Sequence, residues 1–244
     1  MRLPAAMRTP KVCQISEREY ESTLWPELSN IVQGVLEGAG TVDIPQEELY
    51  RKVYNVCLTR HSQRLYTDLC LLLSENLTKL AQKLQSVEDD NFVLALARSL
   101  RDYQKALSVI AVGFKYLQRT FVMPKYNRPL TEILMGLFFE LVVSSPRLLN
   151  RLQVLLPVFD PIRDPASARA LVCSLYAWDE KSATLSFPLF ELYIPCLVQT
   201  TDVEKERASV SHYLGSPPHP CTSSPGMGSS QASKREREWE HCRL

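Results

Sequence analysis

The sequence predicts an all-α bundle followed by a disordered C-terminal tail, on three observations. Apolar residues recur every three or four positions across most of the chain, which is helical spacing. Only five glycines fall before position 200, and strand-like alternation between turn signals is missing. From Asp202 the composition switches to SPPHPCTSSPGMGSSQAS and then KREREWEHCRL, which offer almost nothing to bury against the entropy of ordering. The expected organisation is a flexible N-terminus at 1–15, a helical domain at 16–200 and a disordered tail at 201–244.

Each element has its own signal. Residues 19–37 predict a first helix that Pro26 either starts or kinks. EGAGTVD (37–43) reads as a connection, and Pro45 followed by Gln46, Glu47 and Glu48 suits a helix N-terminus. That helix is expected to reach Arg60, with Ser62 capping the next, whose stripe is Leu65, Leu69, Leu72, Leu73, Leu77, Leu80 and Leu84. Glu88-Asp89-Asp90 breaks the pattern before one long helix with a stripe from Val93 to Phe121. Such a stripe serves either a bundle core or a seam between chains. MPKYNRP (123–129) is expected as a loop, Leu130–Val143 as a buried helix, and Ser144-Ser145-Pro146 as the start of a helix to about Val158. After the turn DPIRDP, helices at about 166–178 and 187–199 close the domain, the last bent at Pro195.

Several function classes lose ground on composition. Lys and Arg number 28 against 27 Asp and Glu, so no global field gathers nucleic acid or anionic membrane, and KRERE alternates in sign. The seven cysteines are odd in number and form no C-x-x-C, and Cys57, Cys70 and Cys173 lie in apolar runs. A reduced, intracellular protein of the cytoplasm or nucleus is expected. The N-terminus has no apolar signal-peptide core, and apolar stretches stop short of a membrane span. No H-E-x-x-H, G-x-S-x-G, P-loop or G-x-G-x-x-G occurs. His61 follows a helix end, where capping or exposure is expected rather than catalysis. His212, His219, Cys221, His241 and Cys242 match no zinc spacing. No catalytic residue, metal site or cofactor is expected.

The stretch that does carry information is LYRKVYNVCLTRHSQRLYTDL, residues 49–69. On a helix, Leu49, Val53, Val56 and Cys57 make a core stripe with Tyr50 and Tyr54 one turn apart at its edge. Periodicity leaves two roles open for the rings, covering the bundle or facing a partner. The phrase resembles the second-helix region of cullin N-terminal repeats, and DYQKALSVIAVGFKYLQRTFV (102–122) resembles the long fifth helix of the same repeat. A weaker likeness at LFELYIPCL (189–197) resembles an early helix of the second repeat, so one repeat and part of another are expected.

In that family the two helices bind adaptors of BTB or Skp1-like fold. The resemblance implies partner contacts at Tyr50, Tyr54 and Phe121, with Tyr116 and Lys115 as neighbours. Two departures matter. Gln46 stands where BTB-binding members place an aromatic anchor, and the half that recruits a RING subunit has no counterpart. A complete ubiquitin-ligase scaffold is not expected. Similarity to the small, kinase-associated branch of the family implies a non-catalytic interaction protein. Such a protein would bind a cyclin-dependent kinase and promote its activation at the G1/S transition, favouring proliferation. The alternative is a binder or competitor of BTB or Skp1-type adaptors. Arg169-Ala170-Leu171 fits a loose cyclin-docking pattern.

Overall fold

The structure is a computed structural model that describes residues 15–38, 46–195 and 197, all within the first of two compact units, which ends at Leu197. The expectations for residues 1–14, for Pro45 and for the tail with its His and Cys cluster lie outside the described residues. Among those described, every regular element is helical.

Ser16 opens the first helix by accepting the Glu19 N–H on its hydroxyl. Helix α1 (Glu17–Glu19) runs through a π-turn at Tyr20–Leu24 into α2 (Trp25–Gly38). Pro26 neither starts nor breaks this helix. The π-turn just before it has already slipped the ladder, with the Trp25 N–H bonding to the Tyr20 carbonyl. That widening makes room where a proline ring would otherwise crowd the preceding turn.

Helix α3 (Gln46–Leu58) carries Glu47 and Glu48 in its first turn and ends two residues short of Arg60, which takes a left-handed φ of 66°. Helix α4 (Ser62–Gln85) follows. Ser62 does not cap it: residue 61 holds the N-cap position without a side-chain bond, and the Ser62 hydroxyl donates back to the Cys57 carbonyl. Nor is His61 a free capping group. Its Nε2 lies 3.0 Å from the Ile15 carbonyl, and its ring stacks on Tyr20 at 5.5 Å. Tyr20 is fully buried, donates to Asp68 at 2.7 Å and lies under the Arg64 guanidinium. Burial first, and then the Asp68 carboxylate, push its pKa far above the ordinary phenol value. Arg64 also meets Glu17 and Glu21, so the first helix is pinned to the start of α4.

The stripe from Val93 to Phe121 is not one helix. Helix α5 (Asp89–Gly113) ends at Phe114, and α6 (Lys115–Leu117), a π-turn at Gln118–Val122 and α7 (Met123–Tyr126) continue beyond it. The stripe from Val93 through Leu117 is buried within the chain, so it is core and not a seam. Met123–Tyr126, expected as a loop, is helical because a second π-turn precedes Pro124; Asn127 then ends it with a φ of 51°. Gly113, just before the break, permits the close approach of α3. A Cβ there would stand inside the Leu49 side chain of α3, which is itself fully buried.

Helix α8 (Leu130–Phe138) and its π-turn at Phe139–Val143 form the buried segment expected there. Helix α9 (Pro146–Leu155) starts on Pro146, and α10 (Pro165–Trp178) is capped by Asp164. Helix α5 is the axis, packing on α2, α3, α8, α9 and α10. From α9, Arg151 reaches the carbonyls of Leu84, Gln85 and Val87 and the Asp89 carboxylate, its guanidinium over the Phe92 ring. Helix α11 (Phe187–Glu191) is shorter than the expected 187–199. Its end falls where the Tyr193 and Ile194 N–H groups both turn back to the Phe190 carbonyl, and Pro195 has no N–H to extend the ladder.

Two predictions follow from these contacts. Gly113→Ala should lose about 1–3 kcal/mol in a urea titration, because the new Cβ would overlap the fully buried Leu49 side chain. The Ser167 N–H that Asp164 accepts, and then Arg98 and Arg101 beside it, hold its carboxyl down to about 2. Its folded pKa is below the unfolded value, so its contribution is complete above that value and is lost as pH falls through the folded one. Asp164→Ala should therefore lower Tm near neutral pH, and the gap from the unmodified chain should narrow as pH falls from about 4 towards about 2.

Candidate protein-docking site

Leu49, Val53 and Val56 bury the inner face of α3, which leaves Tyr50 and Tyr54 on its shoulder, 39% and 36% exposed. Their rings are parallel, with centroids 6.4 Å apart. Tyr54 also meets the half-buried Tyr116 edge-on at 4.6 Å. This contact depends on the Gly113 approach, since Tyr116 sits on the short helix that restarts just beyond it. Lys115 is exposed beside Tyr116, and Leu58 is exposed at the end of α3.

Phe121 belongs to a second cluster. It is half-buried and packs against Tyr66 at 5.8 Å and Tyr126 at 6.3 Å, while Tyr66 and Tyr126 meet at 5.1 Å. The Lys125 ammonium lies over both Phe121 and Tyr126, and Met123 is exposed beside them. Burial raises the Tyr66 pKa, and the neighbouring Cys70 adds to the shift. The structure thus brings Tyr50, Tyr54 and Tyr116 together and places Phe121 one cluster away on the same run. Sequence reasoning missed Tyr66, Tyr126 and Met123. Tyr126 and Met123 lay in the stretch read as a loop. The L-Y pair at the start of α4 was the available signal for Tyr66.

Gln46 opens α3 and is exposed, one turn before Tyr50. The cyclin-docking pattern fails on geometry, because Leu171 is fully buried in α10. Cys57, Cys70 and Cys173 are free thiols, and burial pushes Cys57 up to about 11. Among the described residues no group of three or more His, Cys, Asp or Glu is placed to hold a metal, and no helix is long and apolar enough to cross a membrane. A cleft of about 500 Å³ lies between α8 and α10, lined by Met135, Phe139 and Trp178 with the Arg128–Glu132 pair at its side. It contains no acid–base pair beyond that salt bridge.

Residues 25–170, more than half of the chain, match the family model of the cullin alpha solenoid domain. The chain belongs to the cullin family. Its helices are the alpha solenoid of that family, which is scaffold in type, and Tyr50, Tyr54, Tyr116 and Phe121 all lie within the matched region. This cullin chain is 30% identical over 133 residues to the rat (Rattus norvegicus) CDK2-associated and cullin domain-containing protein 1, covering 54% of the chain and 38% of that protein. It is 25% identical over 138 residues to Cullin-3B of Arabidopsis thaliana, covering 57% of the chain and 19% of that protein. Against Cullin-3 of Caenorhabditis elegans the identity is 26% over 129 residues, covering 48% and 16%. The chain therefore matches well under half the length of these relatives.

The exposed shoulder can be tested for a structural role. Tyr50→Ala with Tyr54→Ala should cost only about 0.5–1.5 kcal/mol in thermal denaturation, mainly the lost edge contact with Tyr116. A larger fall would show that the rings belong to the core.

Proposed function

We propose that this cullin-family chain is a non-catalytic interaction protein that docks a folded partner by mass action, with no covalent step. The observation that carries the reading is the native exposure of Tyr50 and Tyr54 on one shoulder of α3. Rigid aromatic area left uncovered on a well-packed helix is the material of interface anchors. The finer reading is that the chain binds a cyclin-dependent kinase and promotes its activation at the G1/S transition, favouring proliferation. Its support is the likeness to a protein named as associated with CDK2. The half-buried free thiols Cys57, Cys70 and Cys173 support an intracellular location, in the cytoplasm or nucleus.

A second reading has an observation of its own. Tyr50, Tyr54 and Tyr116 form one surface where the resemblance puts adaptor contacts, and the chain is similar to Cullin-3 proteins. On this reading the chain binds or competes for a BTB or Skp1-type adaptor without ligase activity of its own.

A quantitative pull-down separates the two. The purified chain and its Tyr50→Ala/Tyr54→Ala variant are titrated against a CDK2–cyclin complex, a BTB adaptor domain and Skp1. Kinase binding by the unmodified chain, weakened or lost in the variant, with kinase activity rising on addition of the unmodified chain, is the expected result. Adaptor binding lost only in the variant would establish the second reading. Binding to none of the three would refute both.

A further inference from the structure

From Tyr103 to Thr131 the sequence contains no Asp or Glu, yet it carries Lys105, Lys115, Arg119, Lys125 and Arg128. Elsewhere in the fold, cations cross between elements to reach carboxylates: Arg64 meets Glu17 and Glu21, Arg98 meets Asp164, and Arg151 meets Asp89. Lys115, Arg119 and Lys125 form no ion pair among the described residues. All three are exposed, and they alternate along the run with Tyr116, Phe121, Met123 and Tyr126. The nearest acids on α3 do not neutralise them: Glu48 faces Lys52, and Glu47 sits in the first turn of that helix.

A partner that covers this run must also desolvate ammonium and guanidinium groups. Burying them without counter-charges is strongly unfavourable, whereas carboxylates set beside apolar residues would satisfy both components of the strip. We infer that the partner surface docking on Lys115–Tyr126 is an acidic, apolar protein segment, with carboxylates meeting Lys115 and Arg119 and apolar side chains meeting the rings. The inference rests on the docking reading above and specifies the chemistry of the partner. A single-stranded nucleic acid also seeks cations and rings, but it needs open ring faces for its bases. Here Tyr54 packs edge-on against Tyr116, and Lys125 already covers Phe121 and Tyr126.

The test uses fluorescence anisotropy on the full chain with three probes. These are an amphipathic helical peptide with Leu and Phe on one face and Glu on the other, the same peptide with Gln for Glu, and oligothymidine. The Glu peptide should bind at least about tenfold tighter than the Gln peptide, and weaken as salt rises. Lys115→Glu with Arg119→Glu should cost at least about tenfold while leaving Tm unchanged, since neither side chain is buried or paired. Lys79→Glu with Lys83→Glu, on exposed positions of α4, should leave binding unchanged. The proposal is overturned if the Gln peptide binds as well, if both charge-reversed chains behave alike, or if oligothymidine binds as tightly as the Glu peptide. Partner titrations keep the two failures apart. If the kinase or adaptor still binds the Lys115/Arg119 variant but not the tyrosine variant, docking stands and the acidic chemistry falls. If the Glu peptide binds through Lys115 and Arg119 but neither protein binds, the surface chemistry stands and the partner assignment falls.

Discussion

Leu49 lies directly over Gly113, and the arrangement of the tyrosine face depends on that contact. With no Cβ at 113, α3 can settle on the point where α5 ends, just before the chain turns at Phe114 and resumes as α6. Leu49 is fully buried by this approach, which fixes the rotation of α3 and so the direction of its shoulder. Tyr54 then reaches Tyr116 across the gap, and the two helices present their rings as one surface. A larger residue at 113 would push on the core side of α3 and shift the exposed tyrosine shoulder with it. Core packing and the arrangement of the tyrosine face are joined at one glycine.

The prolines reveal a second rule of this backbone. π-Turns at Tyr20–Leu24, Gln118–Val122 and Phe139–Val143 each precede a proline, at 26, 124 and 146. In the first two cases the helix carries on through the proline, because the ladder has shifted before the missing N–H arrives. The second case sets the site: the π-turn holds Phe121 and Val122, one facing the second aromatic cluster and the other fully buried.

The fold class was legible because helical spacing of apolar residues records burial directly, as the α4 leucines show. Apart from Leu80, which is partly exposed, all those in the expected stripe are buried. The cullin relationship was legible in the phrase around Tyr50 and Tyr54, and the shoulder position of both rings followed from their offset from Leu49 and Val53. What escaped was backbone slippage. A π-turn has no residue signature comparable to a cap, so Pro124 read as the mark of a loop, and Met123 and Tyr126 were lost with it. The interruption at Gly113 was equally hidden, since the buried stripe runs across it with its spacing unchanged. Tertiary reach was invisible too: nothing local ties His61 to Ile15 and Tyr20, or Arg151 to a corner more than sixty residues upstream.

That corner has a consequence of its own. At the turn between α4 and α5, a single guanidinium from α9 gathers the carbonyls of Leu84, Gln85 and Val87. The planar fork of an arginine can do this; the single ammonium of a lysine cannot. Closure of the corner is therefore tied to the arrival of a helix made much later in synthesis. The turn behaves as a latch, and its protection from proteases or from amide exchange reports whether α9 is seated.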